Sequence, residues 1–223
     1  MSKRVGVILC GCGVYDGSEI HEATFTLLFL NRAGAEVVVM APDRDQMHVV
    51  NHQTGEVVPG ERRNMRIEAA RIARGPVRDI REVTVDELDA LVMPGGYGAA
   101  KNLCDFAVKG ADCEVLPEVG ELIRDMHRAG KPVLAICIAP AVAMKALTEG
   151  GVKPTLTVGN DRDTIDSLEK MGGRHETHDV RGVAVDAANK VISTPAYMLA
   201  QNITEVAEGI ENAVGELMKM LES

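Results

Sequence analysis

The stretch Pro132-Val133-Leu134-Ala135-Ile136-Cys137-Ile138-Ala139-Pro140 decides how the rest of the chain is read. Its continuous apolar run has the form of a strand buried on both faces. Ala139-Pro140 opens a helix, because proline lacks only an N–H that the first helical turn leaves unbonded. Cys137 therefore stands on a sharp strand-to-helix turn, which holds a side chain above the sheet. The helix N-terminus beside it favours a thiolate through its dipole and its free N–H groups. A strand-end cysteine is more often an inert buried residue, so its surroundings must carry the functional reading.

Outward from this turn, the same alternation runs along the chain. Residues 5–9, 37–40, 88–93 and 132–136 read as buried strands, with others at 155–158, 183–185 and 191–193. Helices are expected over residues 18–33, with Ser18 as N-cap and Gly34 as the stop, and over 64–74, 115–129, 139–147, 164–171 and 196–221. The β-formers flanking Gln53-Thr54-Gly55 predict a hairpin over residues 47–58. No linker or repeat interrupts the pattern, so residues 1–223 are read as one domain. Strands separated by helices imply parallel pairing through right-handed crossovers. The expected class is thus α/β, a doubly wound sheet with helices on both faces.

In such sheets the site lies beyond the carboxyl ends of the strands. Three loops meet that condition: Gly11–Gly17, Pro94–Gly98 and Cys137–Pro140. The glycines of Pro94-Gly95-Gly96-Tyr97-Gly98 permit positive φ and let amide N–H groups point into a site. With the N–H of Ile138 they are placed to form an oxyanion hole, although a plain tight turn has the same composition. Glu19 and Glu22 share a face of the first helix. Glu19 reads as part of an acidic first turn. Glu22 lies deeper, followed by apolar residues, and reads as a partly buried carboxyl able to move a proton.

Composition narrows the partners. A net charge of −9 and 3% aromatics without Trp disfavour nucleic acid, which needs a basic face or stacking platforms. Anionic membrane surfaces are disfavoured likewise, and no apolar run approaches the ~18–20 residues of a membrane span. The N-terminal residues lack signal-peptide architecture, so a cytoplasmic location is expected. The five cysteines form an odd set without paired spacing and read as reduced thiols. Cys10-x-Cys12 has no second pair to complete a zinc site. His175 and His178, spaced by three before a strand, would point to opposite faces, so no metal site is expected. His21 is expected to point off the helix away from Glu22, while His48, His52 and His127 read as surface residues. In Gly11–Gly17 the third glycine is misplaced for a dinucleotide loop, and no acidic residue ends the second strand, so no cofactor is expected.

Together, GVILCGCGVYDGSEIHEA (6–23), VVNHQTGE (49–56), LVMPGGYGAAKNL (91–103), ICIAP (136–140) and STPAYMLAQNI (193–203) resemble the class I glutamine amidotransferase-like superfamily. Within its PfpI branch the chain more closely resembles the ElbB proteins, described as isoprenoid-biosynthesis glyoxalase-like or sigma cross-reacting proteins. The resemblance covers essentially the whole chain. It implies a flavodoxin-like, mostly parallel sheet, a homodimer, a nucleophile at Cys137 and a thiol-bonded carboxylate at Glu22. It further implies an oxyanion loop at Gly95 and Gly96, with the amide of Ile138 as second donor. Gly95, Tyr97, Asn102 and Glu19 are expected to bind substrate. The chain departs from many superfamily members in having Ile138 where a His follows the Cys. It also has Thr194-Pro195-Ala196 where amidotransferases carry His-x-Glu. The activity implied is a weak, cofactor-independent glyoxalase that takes a small α-oxoaldehyde, glyoxal or methylglyoxal, to glycolate or lactate through a Cys137 hemithioacetal. A deglycase or amidase using the same thiol, and a non-enzymatic sensor in which Cys137 oxidises, stay open as alternatives.

Overall fold

The alternation of strands and helices resolves, in a computed structural model describing residues 2–222, into one large sheet and two small ones. The strands are β1 (Arg4–Ile8), β2 (Glu36–Ala41), β3 (Val50–Asn51), β4 (Glu56–Val57), β5 (Arg78–Asp79), β6 (Ala90–Met93), β7 (Val133–Ile136), β8 (Thr155–Leu156), β9 (Arg174–His175), β10 (Ala184–Asp186) and β11 (Val191–Thr194). The helices are α1 (Ile20–Arg32), α2 (Met65–Ala73), α3 (Phe106–Lys109), α4 (Pro117–Arg128), α5 (Pro140–Glu149), α6 (Arg162–Lys170) and α7 (Ile203–Glu222).

The central sheet runs β10-β11-β7-β6-β1-β2-β5. It is parallel throughout except for β10, which pairs antiparallel with β11 at one edge. Burial on both faces explains the unbroken apolar runs. Val7, Val92, Leu134 and Ile136 pack towards Leu30 of α1 and Ile210 of α7. Their alternates Ile8, Leu91, Met93 and Ala135 pack towards Ile123 of α4 and Met144 of α5. The chain leaves β1 towards β2 and returns to β6 on the other side of β1, which makes a topological switch point there. The loops after β1, β6 and β7 therefore meet at one edge. No helix among the described residues is long and apolar enough to cross a membrane.

Several local expectations change. The hairpin at Gln53-Thr54-Gly55 forms, with paired strands of two residues each. Ser18 does not cap α1; its Oγ accepts from the Cys10 amide at 2.9 Å, and Glu19 caps instead, accepting from the Glu22 amide at 2.7 Å. The last helix starts at Ile203 and not at Ala196, because Ala196 sits at φ +43° in a single 3₁₀ turn. Residues 99–112, for which no element was expected, fold as a π-helical turn (Ala99–Leu103), the short α3 and a 3₁₀ turn.

Candidate active site

Cys137 follows β7 directly and sits at φ +62°, in the left-handed region that non-glycine residues avoid. The turn is pinned by the Cys137 amide donating to Thr194 O at 2.9 Å and the Ala139 amide donating to Ile136 O at 3.0 Å. The side chain faces a cavity of about 320 Å³, whose wall also includes Glu19, Gly96, Tyr97, Ile138 and Tyr197. The amides of Gly96 and Ile138 donate to the sulfur. An oxygen developing beside that sulfur would meet the same donors.

Behind the thiol lies Glu22, fully buried. Its Oε2 accepts from the Gly95 amide at 3.0 Å and its Oε1 from the Tyr197 amide at 3.2 Å. The carboxyl also hydrogen-bonds the Cys137 thiol. Burial, and then the charge of Glu19, push its pKa up to about 8, against the opposing pull of these donors. Burial and the Glu22 charge push the Cys137 thiol up, while the Gly96 and Ile138 amides pull it down. The pair thus holds its proton at neutral pH, and ionised Glu22 is positioned to take the thiol proton as the sulfur attacks.

The close contact of these groups needs glycine at position 95. A Cβ there would lie 2.5 Å from Cys137 Cβ and 2.8 Å from Glu22 Oε2. Gly96 reaches the sulfur with its amide at φ +94°, a conformation that L side chains rarely adopt. Gly95 lies behind the thiol and not in the cavity wall. Tyr97 stands at the rim, 54% exposed, with its ring centroid 5.5 Å from Lys101 Nζ. Glu19, 8% exposed, lines the cavity while capping α1.

Asn102 is placed elsewhere. Its Nδ2 donates to Cys10 O at 3.0 Å and Asp16 O at 2.8 Å, and its Oδ1 accepts from the Met47 amide at 2.9 Å. With both ends of its amide group committed, it braces the loop after β1 against the loop before β3, and the substrate-binding expectation gives way to a bracing one. Tyr197 and Thr164 of the cavity wall went unnoticed in the sequence. His21, expected to point away, lies 2.7 Å through Nδ1 from the Tyr197 hydroxyl. His175 Nε2 accepts from the Val158 amide at 3.3 Å, whereas His178 lies beside Glu176. Among the described residues no group of three or more His, Cys, Asp or Glu is placed to hold a metal ion.

A mostly parallel sheet with an inner strand that runs into a left-handed cysteine, backed by a carboxyl from the first helix, defines a protein of the class I glutamine amidotransferase-like fold. The chain belongs to the DJ-1/PfpI family, whose profile matches residues 8–174. Glutamine amidotransferase-like class 1 domain-containing protein 3, mitochondrial, of Homo sapiens is 42% identical, over 98% of this chain and 84% of its own length. The isoprenoid biosynthesis protein with amidotransferase-like domain from Ehrlichia chaffeensis superposes with a TM-score of 0.92 at 38% identity, covering 99% of this chain and 100% of its own. Deglycase PfpI of Pyrococcus furiosus is 36% identical over 39% of this chain and 45% of its own length. The human relative is labelled mitochondrial, as are ES1 relatives in Rattus norvegicus and Danio rerio, which overturns the cytoplasmic expectation. That expectation was read from the first few residues, which the family likeness does not depend on.

Proposed function

We propose that this chain is an ElbB-type, cofactor-independent glyoxalase that converts methylglyoxal or glyoxal to lactate or glycolate. The observation that carries the reading is the pairing of Cys137 with Glu22, a buried carboxyl with its pKa near 8, beside a cavity of about 320 Å³. The Cys137 sulfur adds to the aldehyde carbon as Glu22 takes the thiol proton, and the amides of Gly96 and Ile138 hold the new oxyanion. Once this proton has passed to the oxyanion, Glu22 carries the C1 proton to C2 through an enediol, giving a thioester on Cys137. Water then releases the hydroxy acid and restores the thiol.

The name of the Pyrococcus furiosus relative favours a second reading, deglycation, in which the same thiol attacks a hemiaminal carbon. A substrate panel separates the two. Wild-type and Cys137→Ser protein are given methylglyoxal, glyoxal, a glycated peptide and simple amides, and the products are identified. The glyoxalase reading expects lactate and glycolate from wild type alone. Release of free peptide amine with no acid from the free aldehydes would replace it with deglycation. Equal turnover by Cys137→Ser would sink both.

A further inference from the structure

The 3₁₀ turn Ala196–Met198 brings Tyr197 to the cavity that Cys137 lines. One residue here contacts both the catalytic carboxyl and a histidine of α1. Its amide holds Glu22 Oε1 at 3.2 Å, and its hydroxyl lies 2.7 Å from His21 Nδ1. The two rings are 5.9 Å apart. His21 stands on α1 next to Glu22, with its side chain 48% exposed and Nδ1 4.0 Å from Glu19 Oε1. A phenol at the cavity is thereby joined through an imidazole to water. Burial and the charges of Glu19 and Glu22 hold the Tyr197 hydroxyl above its ordinary range, so a residue of the cavity wall keeps a proton that it can donate.

We propose that Tyr197 is a catalytic acid for the C2 oxygen of the substrate, and that His21 is a positioning residue that resupplies its proton from solvent. The proposal rests on the glyoxalase reading above. In the hemithioacetal, Glu22 takes the C1 proton and the freed electron pair forms the C1–C2 double bond. The C2–O π pair moves onto oxygen, and the Tyr197 O–H bond breaks to protonate it. His21 gives its proton to the phenolate and takes one from water. Glu22 then returns its proton to C2, and the C1 hydroxyl proton leaves to water as the thioester carbonyl forms. C1 is oxidised by two electrons and C2 reduced by two, so no external oxidant or reductant enters. Proton uptake through His21 and release from C1 cancel.

The test uses Tyr197→Phe, His21→Gln and the double variant, each assayed for lactate from methylglyoxal and for alkylation of Cys137 by iodoacetamide. Tyr197→Phe keeps the backbone amide that holds Glu22. It is expected to lower kcat about 100-fold, with KM within roughly threefold. His21→Gln is expected to lower kcat about tenfold, and the double variant to be no worse than Tyr197→Phe alone, since His21 acts through the hydroxyl. Alkylation of Cys137 needs no acid at C2 and should stay within about twofold of wild type in all three. Unchanged kcat in Tyr197→Phe, losses that multiply in the double variant, or alkylation falling in step with kcat would each overturn the relay. Wild-type protein that makes no lactate would overturn the glyoxalase reading and the relay together. Wild-type lactate beside a fully active Tyr197→Phe would overturn the relay alone.

Discussion

Cys10 and Cys137 occupy similar places, each just past a central parallel strand at the same edge of the sheet, and both are buried. Around Cys10 every direction is filled. Its amide donates to Ser18 Oγ, its sulfur lies 3.4 Å from the same oxygen, and its carbonyl accepts from Asn102. Burial pushes that thiol up to about 12. Cys137 is turned by a left-handed backbone towards a cavity, with a carboxyl and two amides at its sulfur. Burial alone makes a cysteine a small hydrophobe. Reactivity needs open space on one side, a proton acceptor on another, and donors where charge develops.

The sharpest break of this comparison is a pair of alanine variants. Cys137→Ala should lower lactate formation by roughly 1,000-fold or more. Cys10→Ala should keep activity within about twofold and lose about 1–2 kcal/mol of stability in a denaturant titration. Glu22→Gln comes next, with a loss of about 100-fold in kcat/KM. Wild-type kcat/KM should rise through pH about 8, as Glu22 ionises and can accept the thiol proton, whereas the variant should lack that limb.

The same variant reports on stability with a fixed sign. The folded-state pKa of Glu22 is raised from 4.5 to about 8. The carboxyl's contribution is therefore fully present below about pH 4.5 and is lost as pH rises towards 8. Unfolding free energy measured at pH 5 and at pH 8 should fall by on the order of a few kcal/mol more in wild type than in Glu22→Gln. A smaller loss, roughly tenfold in kcat, is expected for Gly95→Ala, whose Cβ would press on both Cys137 and Glu22. Smallest for catalysis is Asn102→Ala. It should leave KM unchanged while costing about 2–3 kcal/mol of stability, and a large KM increase would return Asn102 to the substrate.

Much of this was legible because buried parallel strands leave an unmistakable mark. Val133–Ile136 and Leu91–Met93 are apolar without alternation, and the proline at position 140 marks the helix that makes Cys137 an elbow. Glu22 was legible from the apolar residues that follow it on α1. Tyr197 was not, because residues from 196 onward read as the start of a helix, while Ala196, at positive φ, opens a 3₁₀ turn over Ala196–Met198 at the cavity and the helix begins only at Ile203. Ser18 carries a good capping side chain, yet tertiary packing turns that hydroxyl to Cys10 and leaves the cap to Glu19. Asn102 sits in a glycine-rich motif that suggests ligand contact, and only the fold reveals three backbone partners for its side chain. The location in the cell left no trace in the fold's own residues.

The central claim is that the Cys137 sulfur takes the aldehyde as Glu22 accepts the thiol proton, and that Glu22 then carries the C1 proton through the enediol. Acid-quenched mixtures of methylglyoxal with wild-type and Glu22→Gln protein, mapped peptide by peptide by mass spectrometry, test it most directly. The expected result is one methylglyoxal on the Cys137 peptide, accumulating in Glu22→Gln, where water takes the thiol proton and the adduct forms more slowly but cannot pass to the enediol. An unmodified Cys137 peptide in both proteins, with the adduct on Cys10 or on lysine and arginine side chains alone, would contradict it.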